Sequence, residues 1–185
     1  MLEKIIQFDK NIFVYLNGLG SEKWDGLWLT ITVQLYWIPV FLLIFFILQR
    51  KLGWKNFGYY LLFTALLVLV CDQTANLFKL SFERLRPCND NEIKGIIRIV
   101  KSSSSFSFFS GHATNSMATA FFSFMILKKY YNHAYLLFLF PLIFAYSRIY
   151  LGLHFPADIL TGYAFGAFYG FICYKLFKKY VLKNS

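Results

Sequence analysis

The sequence predicts an all-α membrane protein: a polytopic helical bundle with about five transmembrane helices, preceded by an N-terminal amphipathic helix. Three observations predict it. Five apolar runs follow one another with few breakers; the chain is 58% hydrophobic with a mean hydropathy of +0.51; and the basic residues behind its net charge of +10 sit in short clusters between the runs. A soluble domain of 185 residues carries less apolar side chain than this. Lys and Arg clusters at the ends of apolar runs are what orients spanning helices. The same clustering makes the lipid bilayer the partner of the positive charge and argues against nucleic acid. The length fits one domain, residues 1–185.

In chain order, residues 1–20 come first. Leu2, Ile5, Phe8, Ile12, Phe13, Leu16 and Leu19 recur at helical spacing, with Glu3, Lys4, Gln7, Asp9, Lys10 and Asn11 between them. That pattern is too polar to span and reads as an interfacial helix or a lid packed on the bundle. No basic leader followed by a continuous apolar core is present, so a cleavable signal peptide is not expected. The apolar runs are residues 27–48, 57–78, 113–127, 134–147 and 159–174. The first two, at 22 residues each, reach the roughly 20 that cross about 30 Å of hydrocarbon. The last three are shorter but each borders a polar motif, so their helices are expected to continue into residues that line a site. Trp24, Trp28, Trp37 and Trp54, with Tyr59 and Tyr60, fit aromatic belts at the interfaces. The stretch 88–109 is polar and serine-rich, with Ser102 to Ser105 in a row; it reads as flexible linker, and a phosphate-binding nest is the sharper alternative. Cys71, Cys88 and Cys173 show no C-x-x-C spacing, which indicates neither a disulfide framework nor a zinc site.

Charged groups at the edge of hydrocarbon are costly, so they line polar sites or pair with one another. Three stretches carry them: KLSFERLRP (79–87), FSGH (109–112) and SRIYLGLHFPAD (147–158). Consecutive spans joined by short loops run in opposite directions. Lys79 follows the second run, Ser110 to His112 precede the third, Arg148 ends the fourth, and His154 and Asp158 precede the fifth; all therefore fall on one membrane face. The opposite loops hold Arg50, Lys51, Lys55, Lys128, Lys129, Lys175, Lys178, Lys179 and Lys183 and no acid. With Lys79, Arg86 and Arg148 held by a site, seven basic residues remain on the motif face against these nine, which puts the motif face outside. Asp72 and Asn76 lie within two turns before Lys79, placed either to orient it or to hydrogen-bond between helices.

The spacings Lys79-x6-Arg86-Pro87, Ser110-Gly111-His112 and Ser147-Arg148-x5-His154-x3-Asp158 resemble the three-part signature of the type 2 phosphatidic acid phosphatase superfamily, which groups membrane lipid phosphatases with soluble vanadium haloperoxidases. The resemblance spans residues 79–158. One position departs from it: Phe109 stands where the family usually has proline before Ser-Gly-His, and a differently shaped loop is expected there.

The residues themselves suit phosphoryl transfer, which depends on positioning a multiply charged group and neutralising its equatorial oxygens. Lys79, Arg86 and Arg148 supply fixed cations, the two guanidiniums able to grip oxygens in bidentate fashion. Ser110 adds a hydroxyl, and the Gly111 and His112 N–H groups open a helix whose N-terminus favours an anion. Asp158 lies one helical turn after His154, where its carboxylate can accept an imidazole N–H. Taken alone, Lys79 and Arg86 would read as snorkelling anchors. The resemblance implies that His154 is the nucleophile forming a phosphohistidine, Asp158 its orienter, and His112 the general acid. No metal or other cofactor is expected.

Together these readings imply a membrane lipid phosphatase acting on a phosphate monoester or diphosphate of a bacterial envelope lipid: undecaprenyl diphosphate, phosphatidylglycerol phosphate, phosphatidic acid or a lipid A phosphate. The expected location is the inner membrane with the site facing the periplasm. The alternative is a catalytically relic lipid-binding or lipid-transport protein. Haloperoxidase chemistry is disfavoured by the apolar spans.

Overall fold

The computed structural model describes residues 1–182; the Leu2 side chain and Lys183, both counted above, lie outside the described residues. Among the described residues the regular structure is six α-helices linked by 3₁₀ turns. These are α1 (Leu2–Gly18), α2 (Glu22–Ile31), α3 (Ile38–Phe82), α4 (Gly111–Leu127), α5 (Leu139–Tyr150) and α6 (Pro156–Tyr180).

The run 27–48, expected as one helix, is two. α2 stops at Ile31, Val33 is extended, and a 3₁₀ turn over Gln34–Trp37 leads into α3 with Pro39 in its first turn, where a missing N–H costs nothing. The first stretch long and apolar enough to cross a bilayer therefore begins near residue 34. At about 1.5 Å per residue, the 45 residues of α3 would be more than twice as long as the roughly 30 Å hydrocarbon core of a bilayer is thick. Gly53 resolves this with φ 72°, a backbone open to glycine without a Cβ penalty. The chain turns back there, and limb 38–52 packs on limb 54–82, with Phe45 against Phe57 (6.0 Å) and Tyr60 (6.2 Å). Arg50, Lys51 and Lys55 flank that turn, opposite the motifs.

The seam between α4 and α6 sets the frame. Gly162, Gly166 and Gly170 form a stripe of four-residue period against Ser110, Thr114 and Ala118. A Cβ at these glycines would stand 2.8, 2.5 and 2.7 Å from the carbonyl oxygens of Ser110, Thr114 and Ala118, so only glycine allows the two backbones to approach this closely. Around the seam lies a core containing Leu48, Tyr60, Cys71, Phe122, Ile126 and Phe177. Tyr60 is thus a core residue and not part of an interfacial belt: it is 1% exposed, stacks on Phe122 and hydrogen-bonds Ser123 (2.8 Å).

The outside of the bundle is apolar. Leu42, Leu43, Phe46, Leu62, Leu66 and Phe168 are each more than half exposed, a band suited to lipid and not to water. By length and hydropathy alone, Gln34–Asn89 is the one stretch among the described residues that would cross a bilayer unaided, and Ala134–Tyr150 is a shorter apolar helix. α4 and α6 carry Ser, Thr and Gly on the faces that pack against each other.

α1 packs on the bundle with Phe13, Val14 and Leu16 turned inward and Glu3, Lys4, Gln7 and Asn11 exposed, but the division is not clean. Its inward face is Asp9, Phe13 and Asn17, all buried, while apolar Ile5, Phe8 and Tyr15 face outward. Phe13 packs on Phe155, and the Asn17 amide donates to the carbonyls of Arg98, Ile149 and Tyr150 (3.0–3.1 Å) while accepting from the Arg98 N–H (2.7 Å). The helix is fastened by polar groups to the end of the bundle that carries the motifs.

Candidate active site

All eight sequence-derived site residues lie at one end of the bundle. α3 delivers Lys79 near its C-terminus; α4 begins at Gly111 with Ser110 as its cap; α5 carries Arg148 in its last turn; and α6 starts at Pro156, just after His154. The Ser110 N–H donates to the Asp158 carbonyl (3.1 Å), which ties the start of α4 to the start of α6 and brings both histidine-bearing segments together. A Cβ on Gly111 would stand 4.0 Å from Lys79 Nζ, so the lysine reaches the α4 N-terminus. His112 and Arg148 share Phe144, with the His112 ring 5.7 Å and the guanidinium 5.3 Å from its centroid.

His154 is buried, and its partners settle its tautomer. Arg86 Nη1 lies 3.1 Å from His154 Nε2. A guanidinium only donates, so Nε2 presents its lone pair and the proton of the neutral ring sits on Nδ1. Nδ1 faces Ser107 Oγ at 3.3 Å and Asp158 Oδ2 at 3.5 Å. The Ser107 hydroxyl in turn donates to the same Asp158 oxygen in a short hydrogen bond. Asp158 thus faces Nδ1 itself, as the four-residue spacing allows, and is joined to it a second time through Ser107. Burial holds the His154 pKa down to about 4, with Arg86 and Arg148 adding to the shift and Asp158 opposing it; the ring is neutral at ordinary pH.

The cations differ in how they are held. Arg86 is locked: Nε donates to the Ser105 carbonyl (2.8 Å), Nη2 to Ser105 Oγ (2.9 Å) and Nη1 to the Leu153 carbonyl (3.1 Å). The serine row is therefore no free linker, since Ser105 braces Arg86 and Ser103 accepts from Asn89 (2.8 Å). Arg148 is 5% exposed, and its Nε finds no hydrogen-bond partner among the described residues. Ser110 is fully buried and its Oγ accepts from the Ala113 N–H (3.4 Å), so the hydroxyl caps α4. Phe109, in the position that departs from the usual proline, is also fully buried and fills the space behind the loop, stacked on Phe165 (4.8 Å) and against Phe78 (5.0 Å). Asp72 accepts from Asn115 (2.7 Å), a bond between α3 and α4. From His112 a cavity of about 280 Å³ runs along α4 between α3 and α5, with Thr64, Thr119 and Ser123 on its polar side and Phe41, Phe45 and Phe140 on its apolar side.

Three site neighbours were not singled out from the sequence. Ser107 lies in an aromatic stretch with no motif of its own. Arg84 sits two residues before Arg86, inside the same charged segment, and bridges Asp9 and Asp158. Asp9 reads as one more solvated residue on a polar helix face. The only local hint was the second arginine.

This constellation can be set beside known proteins. The model of the PAP2 superfamily matches residues 53–181, which include every motif above. The chain belongs to the PAP2 superfamily. Among curated relatives, this PAP2 chain is 32% identical over 178 residues to the lipid A 4'-phosphatase of Bacteroides thetaiotaomicron, covering 94% of this chain and 79% of that one. It is 31% identical over 180 residues to the lipid A 4'-phosphatase of Porphyromonas gingivalis, covering 95% and 75%. Its fold is similar to that of the transmembrane PAP2-type phosphatidylglycerolphosphate phosphatase of Bacillus subtilis, with TM-score 0.73 at 20% identity over 96% of this chain and 88% of the other. Aquifex aeolicus LpxE aligns with TM-score 0.66 at 22% identity over 89% and 93%. The all-helical bundle is therefore a membrane PAP2 fold.

Proposed function

We propose that this PAP2 chain removes a phosphate monoester from a lipid A-type glycolipid by way of a phosphohistidine on His154. That it is a membrane-embedded hydrolase of lipid phosphates follows from its family and its curated relatives; the proposal concerns substrate, mechanism and topology. Of the four envelope lipids the motifs allow, lipid A phosphate is favoured because both relatives, matched over nearly the whole chain, carry that name.

The observation that carries the mechanism is the pairing of a neutral, buried imidazole with buried cations. His154 presents its Nε2 lone pair beside Arg86, and Arg148 buries a guanidinium whose Nε is unpaired among the described residues. A buried charge without a partner is costly, and a phosphate dianion would supply one. In the proposed first step Nε2 attacks phosphorus, the P–O bond to the lipid breaks, and His112 protonates the departing alkoxide. Arg86, Arg148 and Lys79 hold the equatorial oxygens, with the Gly111 and His112 N–H groups behind them. In the second, water attacks the phosphohistidine with His112 as base, releasing phosphate and restoring His154. The cavity beside His112 is suited to an acyl chain entering between helices. Five crossings are proposed, the α3 limbs with α4, α5 and α6, which leaves the basic turn at Gly53 and the α6 terminus on the cytoplasmic side and the site outside.

The test is phosphate release by detergent-solubilised protein against lipid A, phosphatidylglycerol phosphate, phosphatidic acid and undecaprenyl diphosphate, with chelator present. Lipid A should be turned over fastest, and His154→Ala should abolish release while the protein stays folded. Full activity in that variant would remove the mechanism; a faster reaction with another lipid would remove the substrate assignment.

A further inference from the structure

The N-terminal helix reaches the reaction centre through one unbroken chain of charged contacts. Asp9, on the inward face of α1 and 7% exposed, accepts from Arg84 Nη2 (2.6 Å) and from the Ala157 N–H (2.8 Å). Arg84 Nη1 donates to Asp158 Oδ1 (2.8 Å). The other Asp158 oxygen accepts from the Phe155 N–H (2.9 Å) and from the Ser107 hydroxyl, the same hydroxyl that faces His154 Nδ1. The Arg84 carbonyl also accepts the Ser107 N–H (2.8 Å), so Arg84 fixes both groups behind the imidazole, one by its side chain and one by its backbone. Its guanidinium lies over the Phe155 ring (4.1 Å), and that ring packs on Phe13 of α1.

We propose that Asp9 and Arg84 are positioning residues: a carboxylate on α1 and a guanidinium after α3 that together hold Asp158 and Ser107 where they fix the His154 ring. The proposal rests on His154 being the nucleophile. A bidentate fork is needed because two carboxylates from distant elements must be served by two nitrogens of one cation. Lysine, a single point of charge, cannot span both. Arg84 also prevents Asp9 and Asp158 from facing each other as bare buried anions, an arrangement that would draw a proton onto Asp158 and spoil its hold on Ser107. Against an alternative in which α1 is only packed in place, the geometry is specific. Lys10, the next residue along, makes its ion pairs with Asp90 and Glu92 (2.7 Å each), away from Asp158.

The experiment uses the full chain in detergent with lipid A as the probe, following kcat and KM separately for Arg84→Gln, Arg84→Lys, Asp9→Asn, the pair Asp9→Asn/Arg84→Gln, Lys10→Ala and His154→Ala. Loss of a group that orients a histidine typically costs about 10- to 100-fold, so Arg84→Gln should lower kcat by about that factor with KM within about twofold. Arg84→Lys should recover only part of the loss. Because Asp9 acts through Arg84, the pair should be no slower than Arg84→Gln alone. Lys10→Ala should keep kcat within about twofold of the parent, since its ion pairs with Asp90 and Glu92 do not include Asp158 or Ser107. Normal kcat in Arg84→Gln, or losses that multiply in the pair, would overturn the relay while an inactive His154→Ala left the nucleophile in place. An active His154→Ala would overturn both. If Arg84→Gln fails to fold, Asp9→Asn, which keeps the shape of the side chain, decides: unchanged kcat there refutes the relay.

Discussion

Two glycines on one seam separate what the α4–α6 contact does for stability from what it does for catalysis. In Gly162→Ala the new methyl would stand 2.8 Å from the Ser110 carbonyl oxygen, and in Gly170→Ala 2.7 Å from that of Ala118. Ordinary contact begins at 3.4 Å, so the helices must part by about 0.6 Å in the first case (3.4 − 2.8) and about 0.7 Å in the second (3.4 − 2.7). The obstacle is backbone in both, so neither clash is relieved by a rotamer change. Overpacking of this kind costs about 1–3 kcal/mol, and for a chain of this size each kcal/mol lowers the unfolding temperature by roughly 2–4 °C. The two variants should therefore lose similar stability. Their activities should differ. Gly162 touches Ser110, whose N–H bonds Asp158 and whose side chain caps the helix bearing His112. Gly170 lies eight residues further along α6, about 12 Å at 1.5 Å per residue. Misplacement of reacting groups by 1 Å can cost about 100-fold, so Gly162→Ala should lose at least about tenfold in kcat while Gly170→Ala stays near the parent value. Thermal unfolding in detergent followed by tryptophan fluorescence, with phosphate release from lipid A below the transition, measures both. Equal activity loss in the two variants at equal unfolding temperature would show that the seam does not set the histidine geometry, and no loss of stability in either would show that the helices are not so close.

Other outcomes follow from the site itself. Because His154 is held down to about 4, its nucleophilic neutral form persists on acidification, so kcat/KM should show no loss attributable to this ring until pH approaches about 4; an acid limb near 6.5 that shifts in Ser107→Ala would contradict this. The same depression has a sign for stability: the unfolded chain takes up this proton near 6.5 and the folded one only near 4, so unfolding in detergent should become easier as pH falls through that window and the effect should be smaller in His154→Gln than in the parent. Arg148→Ala or Lys79→Ala should cost about 10²–10³ in kcat, as removal of one charge-stabilising donor does, and normal turnover in either would remove that residue from phosphate binding. Asn17→Ala strands the Tyr150 carbonyl and the Arg98 N–H at about 1–3 kcal/mol for each group left unpaired, so protease sensitivity between residues 18 and 22 should rise; unchanged proteolysis would show that α1 is held by other contacts.

What the sequence disclosed and what it withheld divide along a physical line. Lys79, Ser110, His112, Arg148, His154 and Asp158 could be placed on one face because alternation of helix direction needs only the order of apolar runs, and the bundle obeys it. The break at residues 32–37 was legible in Pro39 but outweighed by an apolar pattern that continues through it, since the same side chains suit a helix inside the bilayer and one lying against its end. Tyr60 has the composition of a belt residue, and only its neighbours Phe122 and Ser123, more than 60 positions away, make it core. The glycine stripe at 162, 166 and 170 has the spacing by which small residues let membrane helices approach closely, but nothing local names α4 as its partner.

Asp9 marks the limit of such reading. On its own helix it is one acid among several polar residues, and nothing local distinguishes it from Glu3, which is exposed. Its meaning comes from Arg84, 75 residues away, and Arg84 itself is masked by Arg86, whose place in the Arg-Pro pair draws all the attention. The two arginines are two residues apart yet make different sets of contacts: Arg86 Nη1 touches His154 Nε2, while Arg84 grips Asp158, which faces Nδ1 on the other side of the ring. The chain from 83 to 86 is not helical, and it carries Arg84 to Asp158 and Arg86 to His154. A spacing motif that places Arg86 beside His154 leaves Arg84 on the same short segment, and in this chain it reaches the carboxylate that α1 supplies.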